Sequence, residues 1–230
     1  MNLSRFDAIL FDMDGVFVDT EPVVFGVTRQ VFDPMGIHLS DEFQYSFIGH
    51  PTRQNLQMIE EHFDVSLDYE AVIRELKQYY DAELADHALP VTPGIPELVR
   101  FAKKENLKIG LCTTSPQRDV DVIFTKLAQT DPLFRLDTLF DAIVTGDQIH
   151  LKKPNPEPYL MLTDRLNIRP QDCLVIEDSE PGVQSAKAAG CICLALRRFY
   201  NHHMDLTPAD ETAEADDLSS WVKRRINSQS

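Results

Sequence analysis

The chain has 230 residues, 43% of them hydrophobic and 26% charged, with a formal net charge of −15. That length suits one large domain or a domain with a smaller insertion, and the acidic balance argues against nucleic acid and anionic membrane as partners. No apolar stretch is long enough to span a bilayer, and no basic segment followed by an apolar core opens the chain, so a cytoplasmic protein without an export signal is expected.

The first predicted element is the apolar run Phe6-Asp7-Ala8-Ile9-Leu10-Phe11, which reads as a buried strand. Asp12-Met13-Asp14-Gly15-Val16 leaves its C-terminal end, the edge where an open α/β sheet binds ligands. Two carboxylates so close together repel and need a cation, a proton or solvent. The simplest account is a metal-assisted site, with one acid as nucleophile or ligand and the other as acid/base.

From Thr20 to Leu89 no strand pattern appears. Helical periodicity does, at Val23 to Met35, Arg53 to His62 and Tyr69 to Leu84, with Thr20 as the expected N-cap and Pro22 in the first turn. Residues 20–89 are therefore predicted to form a helical cap, inserted into a core of residues 1–19 and 90–230 and lying as a lid over Asp12 and Asp14. Pro90, Pro93, Gly94 and Pro96 mark the return to the core.

Beyond that return, further strands are predicted at Lys108 to Cys112, Ala142 to Thr145, Leu174 to Ile176 and Cys191 to Leu196. They alternate with helices at Ile95 to Lys104, Gln117 to Ala128, Glu157 to Leu166 and Gly182 to Ala189, which Gly190 would end. This alternation predicts an α/β fold, a doubly wound, Rossmann-like parallel sheet. Asp205 to Asp217 reads as a polar surface connection and Leu218 to Ile226 as a last helix packing Trp221 on the core. Cys112, Cys173, Cys191 and Cys193 fall in or beside apolar runs, as small buried thiols do in a reducing compartment, and their spacing does not suit zinc.

Each later strand end also carries chemistry. Thr113-Thr114-Ser115 offers hydroxyls and free N–H groups at a helix start, a setting that binds anions. Lys153 stands between Lys152 and Pro154, and Glu177-Asp178-Ser179 supplies a second acidic pair. Any one of these alone is explained by a turn, a helix cap or a solvated surface. Together, each at the end of a strand, they point to one site. Asp12, Asp14, Glu177 and Asp178 are four acids against Lys153, so an anionic substrate there calls for a metal ion.

Asp12-Met13-Asp14-Gly15, Thr113, Lys153 before Pro154, and Glu177-Asp178 resemble the four motifs of the haloacid dehalogenase superfamily of phosphohydrolases, in the branch with a helical cap after the first strand. Asp14 to Pro22 and Glu177 to Val183 are similar to the branch containing β-phosphoglucomutase and small sugar-phosphate phosphatases. The resemblance implies Asp12 as the nucleophile forming an aspartyl-phosphate and Asp14 as the acid/base. It implies Mg²⁺ held by Asp12, the Asp14 carbonyl, Asp178 and, directly or through water, Glu177. Thr113 and Thr114 would hold phosphoryl oxygens and Lys153 would offset charge. The presence of Asp14 favours phosphate esters over halides. The branch's mutase has a histidine where this chain has Val24, which favours a phosphatase.

The implied partner is a small phosphorylated metabolite, and the protein is expected to be a monomer or a weak homo-oligomer. In the cap, Gly49-His50-Pro51-Thr52-Arg53 resembles a loop that approaches the site, which makes Arg53 a candidate substrate contact, and Lys77, on the last long cap helix, is a further candidate. Tyr79 and Tyr80 read as cap core. The alternatives are phosphoglucomutase-type transfer and, from another class, a non-enzymatic phospho-receiver or binding domain.

Overall fold

Six parallel strands make one sheet among the described residues: β1 (Ala8–Phe11), β2 (Lys108–Cys112), β3 (Ala142–Val144), β4 (Cys173–Glu177), β5 (Ile192–Arg197) and β6 (Glu211–Glu214). This computed structural model describes residues 6–86 and 89–227. The strand order is β3-β2-β1-β4-β5-β6. β1 lies between β2 and β4, so Phe11 pairs with both Leu111 and Ile176. The winding direction reverses beside β1, and this reversal is where doubly wound sheets open a crevice for ligands. The first five strands are apolar because both faces of a parallel sheet are covered.

β6 was not expected, since residues 205–217 read as a surface connection. Glu211-Thr212-Ala213-Glu214 has no apolar run to announce a strand, yet it pairs in register with Leu194 to Arg197 of β5. As an edge strand with half of its residues exposed, it needs no apolar run.

The chain divides into two compact units, Met1–Asp19 with Ala88–Ser230, and Thr20–His87. The second unit holds α1 (Glu21–Phe32), α2 (Asp41–Tyr45), α3 (Thr52–Phe63) and α4 (Tyr69–Asp86). Its core gathers Val31, Phe32, Ile37, Leu39, Leu56, Ile59 and Val72, with Tyr79 packed at its margin. α2, only five residues long and capped by Ser40, was too short to show a periodicity. Thr20 precedes α1, but its backbone is already helical and its side chain makes no capping bond, so the expected N-cap interaction is not formed.

In the first unit α5 (Ile95–Lys104), α6 (Gln117–Thr130), α7 (Leu136–Leu139), α8 (Glu157–Leu166), α9 (Glu180–Ala188) and α10 (Leu218–Asn227) complete the fold. α9 begins two residues earlier than its apolar pattern implied because Ser179 caps it, accepting from the Gly182 N–H at 3.2 Å. Trp221 is buried and donates to Glu211 Oε1 at 2.8 Å, tying α10 to β6. Phe17, just past the first acidic turn, packs against Phe11, Phe124, Phe134 and Phe140 with ring centroids 5.2–5.9 Å apart. That cluster anchors the turn from below. All four cysteines are free and buried. No helix among the described residues is long and apolar enough to cross a membrane.

Candidate active site

The turn after β1 is closed by its own backbone. The Gly15 N–H donates to the Val18 carbonyl at 2.8 Å and the Phe17 N–H to that of Met13 at 2.9 Å. Gly15 has φ +77°, and a Cβ there would lie 2.0 Å from Asp178 Oδ2. Glycine is thus required twice over, for the backbone angle and for the closeness of the second acidic loop. The Asp12 N–H donates to the Ile176 carbonyl at 3.1 Å, bringing the ends of β1 and β4 together.

There Asp12, Glu177 and Asp178 each present a carboxylate oxygen, all within 4.8 Å of one another. They are 8%, 0% and 4% exposed. Lys153 lies against them: its ammonium donates to Asp12 Oδ1 at 2.5 Å, Glu177 Oε1 at 2.6 Å and the Cys112 carbonyl at 3.1 Å. The loop that delivers it, with a cis Lys153–Pro154 peptide, is pinned by the Glu157 carboxylate, which accepts from the N–H groups of His150 and Leu151 at 2.6 and 3.1 Å.

Glu177 is the most heavily bonded of the acids. Besides Lys153 it accepts from the Tyr159 hydroxyl at 2.7 Å, and its other oxygen accepts from the Asp178 N–H and the Ser179 hydroxyl at 3.1 and 3.2 Å. A Cβ on Gly182 would come within 2.1 Å of this carboxylate, so α9 can pass here only as glycine. Two oxygens so fully engaged suit a residue that steadies Lys153 and meets an ion through water.

Negative charge is in surplus. Burial drives the Asp12 carboxyl well above the usual range, Lys153 opposes this, and the charges of Glu177 and Asp14 push it further up. Burial would lower the Lys153 ammonium, but Asp12 and Glu177 hold it well above the ordinary lysine range. Three buried carboxyl groups and the half-buried Asp14 around one ammonium leave the site short of positive charge. The donors are hard oxygens, converging and shielded from water, and they fit Mg²⁺.

Asp14, half-buried, faces hydroxyls. Its Oδ2 accepts from Ser115 Oγ at 2.8 Å and Thr113 Oγ1 at 3.3 Å, and the Ser115 N–H donates back to Thr113 Oγ1 at 3.0 Å. Thr113 is fully buried, whereas Thr114 is exposed. A Cβ on Gly146 would lie 2.1 Å from the Thr114 carbonyl, so the end of β3 presses close under this loop.

The structure therefore brings together Asp12, Glu177, Asp178 and Lys153, and beside them Asp14 with Thr113. Arg53 and Lys77 lie in the second unit, where Arg53 pairs with Glu70 and Lys77 with Asp81 at 3.2 Å. Sequence reasoning missed Tyr159, Arg198 and Asn201 and gave Ser115 no specific task. The hydroxyl row at 113–115 was a usable signal for Ser115. For the others no residue spacing points to the site.

The model of the family described as haloacid dehalogenase-like hydrolase matches residues 9–196. A Thermotoga maritima protein named phosphorylated carbohydrates phosphatase is 36% identical over 187 residues, 80% of this chain and 82% of its own length. The Escherichia coli protein named fructose-1-phosphate phosphatase YqaB is 28% identical over 193 residues, 84% of this chain and 97% of its own. Among solved structures, a Thermotoga maritima chain provisionally named beta-phosphoglucomutase has a TM-score of 0.72 at 30% identity, covering 95% of this chain and 99% of that one.

Proposed function

Because this chain belongs to the haloacid dehalogenase-like hydrolase family, we propose that it is an Mg²⁺-dependent phosphatase of a small phosphorylated metabolite, a sugar phosphate, working through an aspartyl-phosphate. The observation that supports this reading is the buried group Asp12, Lys153, Glu177 and Asp178, a carboxyl group held beside a cation and a converging set of oxygen donors.

In this reading Asp12 Oδ attacks phosphorus and the ester oxygen leaves with a proton from Asp14. Asp14 then takes a proton from the water that cleaves the acyl phosphate, which returns Asp12. The Thr113 and Ser115 hydroxyls, free to rotate, can follow Asp14 through both protonation states. Lys153, fixed by Glu177, stabilises the charge that gathers on Asp12 and the phosphoryl oxygens. Asp12, Asp178 and the Asp14 carbonyl would hold Mg²⁺, with Glu177 behind them. The ion, when bound, supplies the positive charge that lets a carboxylate approach a phosphate dianion. Substrate choice falls to the helical unit, with Arg53 and Lys77 as its candidate contacts.

The named activities of the two relatives, on phosphorylated carbohydrates and fructose 1-phosphate, support a sugar phosphate as substrate. The resemblance to a mutase-named structure keeps intramolecular transfer as the second reading. A panel of phosphorylated metabolites including β-glucose 1-phosphate separates the two. Phosphate release that stops in EDTA and returns with Mg²⁺ is expected. Full turnover in EDTA, or glucose 6-phosphate formed without phosphate release, would overturn the proposal.

A further inference from the structure

The turn after β1 and the loop after β4 share one clamp, which comes from the segment following β5. Arg198, only 9% exposed, donates from Nε to the Gly15 carbonyl at 2.7 Å and from Nη2 to Thr92 Oγ1 at 2.6 Å, and its Nη1 lies 3.5 Å from Asp19 Oδ2. Asn201, fully buried, donates from Nδ2 to the Asp178 carbonyl at 2.7 Å and to that of Leu196 at 3.0 Å. Its Oδ1 accepts from the Arg198 N–H at 2.9 Å, joining the two halves.

A guanidinium and an amide withdrawn from water are tolerated only where their donors are used. Here one donor of each side chain goes to a backbone carbonyl beside the acids, that of Gly15 or of Asp178, and the others hold the clamp to Thr92, Asp19 and Leu196. β5 ends at Arg197, and of these side-chain bonds only the one from Asn201 to the Leu196 carbonyl returns to a strand. The clamp grips a place with little room to spare, since Gly15 and the Asp178 carboxylate approach as closely as the missing Cβ permits.

We propose that Arg198 and Asn201 are positioning residues that set the separation of the Asp12–Gly15 turn and the Asp178 loop, and through it the affinity for the divalent cation. The inference rests on the Mg²⁺ reading of the site. Asn201 acts on the loop that carries a ligand and Arg198 on the turn that carries the nucleophile. Tyr200, whose hydroxyl reaches Asp19 Oδ1 at 3.5 Å, has neither task.

Calorimetric titration of Mg²⁺ into the full-length protein tests this, with thermal melting in parallel. Asn201→Ala removes both the donor and the acceptor. Asn201→Asp keeps the volume and the acceptor for Arg198 but loses the donor, and Arg198→Lys keeps the charge but cannot span three acceptors. Folded variants should bind Mg²⁺ about 10- to 100-fold more weakly, the range set by the outer partners of metal ligands. Their KM at saturating Mg²⁺ should stay at the wild-type value, and Tyr200→Phe should retain wild-type Mg²⁺ affinity. Wild-type affinity in folded Asn201→Asp and Arg198→Lys, with only the melting point lowered, would overturn the inference and leave the proposed function intact. No Mg²⁺ binding by the wild type would overturn both.

Discussion

The strand-end edge of the sheet and the helical unit both pair cations with carboxylates, but in opposite settings. Lys153 has a side chain 6% exposed and serves two acids that are themselves 12% and 0% exposed. Arg53 and Lys77 are 62% and 55% exposed and meet one acid each. Removing one member of a buried pair strands a charge away from water and costs about 3–5 kcal/mol, whereas an exposed pair is worth about 0–1 kcal/mol. At the strand ends, therefore, the proposed chemistry and the stability of the fold draw on the same residues. In the helical unit the fold rests on an apolar core, and its surface cations are free to change without unfolding it.

The largest effect that would break this contrast lies at Asp12. Asp12→Asn should abolish Mg²⁺-dependent release of p-nitrophenol from its phosphate ester. Its melting point should fall less than that of a Lys153 variant, because Lys153 keeps Glu177 as its partner. Near-normal turnover would refute the nucleophile assignment. Lys153→Met comes next and should lower kcat by about 10²–10³, as lost charge stabilisation does. It should also destabilise the fold by about 3–5 kcal/mol in a denaturant titration. A loss of activity with full stability would show that the two acids do not depend on their lysine.

Smaller effects sharpen the other side. Arg53→Ala and Lys77→Ala should raise KM severalfold at constant kcat while leaving stability within about 0.5 kcal/mol of wild type. Unchanged KM in both would remove them as substrate contacts. The smallest change concerns Asp210, whose Oδ2 accepts from Lys187 at 2.5 Å and the Cys193 N–H at 2.8 Å. Burial raises its carboxyl, but these two donors outweigh it and hold the group below the ordinary aspartate range. The stabilisation is thus complete above the unfolded aspartate's titration near pH 4 and fades as pH falls through the lower folded value. Asp210→Asn should lose less than about 1 kcal/mol at neutral pH, since the pair is partly exposed, and should show a flatter stability profile in acid.

The strands that carry the acids were legible because each needs an apolar run and each ends in residues that no strand would bury without purpose. Ala8 to Phe11 followed by Asp12, and Leu174 to Ile176 followed by Glu177 and Asp178, are such cases. β6 was not legible, because an edge strand such as Glu211 to Glu214 can be largely polar and is set by its pairing with β5. Asn201 and Arg198 escaped notice for a related reason. They act through backbone carbonyls 23 and 183 positions away in the chain, a relation with no local signature. Arg53 and Lys77 sit on a helical surface where charge is ordinary, so composition there does not separate a contact from a solvated face.

One consequence reaches beyond the acids. In a survey of every single substitution, the positions least tolerant of change would include two that contribute no functional group. Gly15 and Gly182 each face a carboxylate at a distance that a single methyl group would violate, the one against Asp178 and the other against Glu177. Alanine, the mildest replacement elsewhere, would be among the harshest here, and a ranking by sensitivity alone would take two hydrogen atoms for catalytic residues.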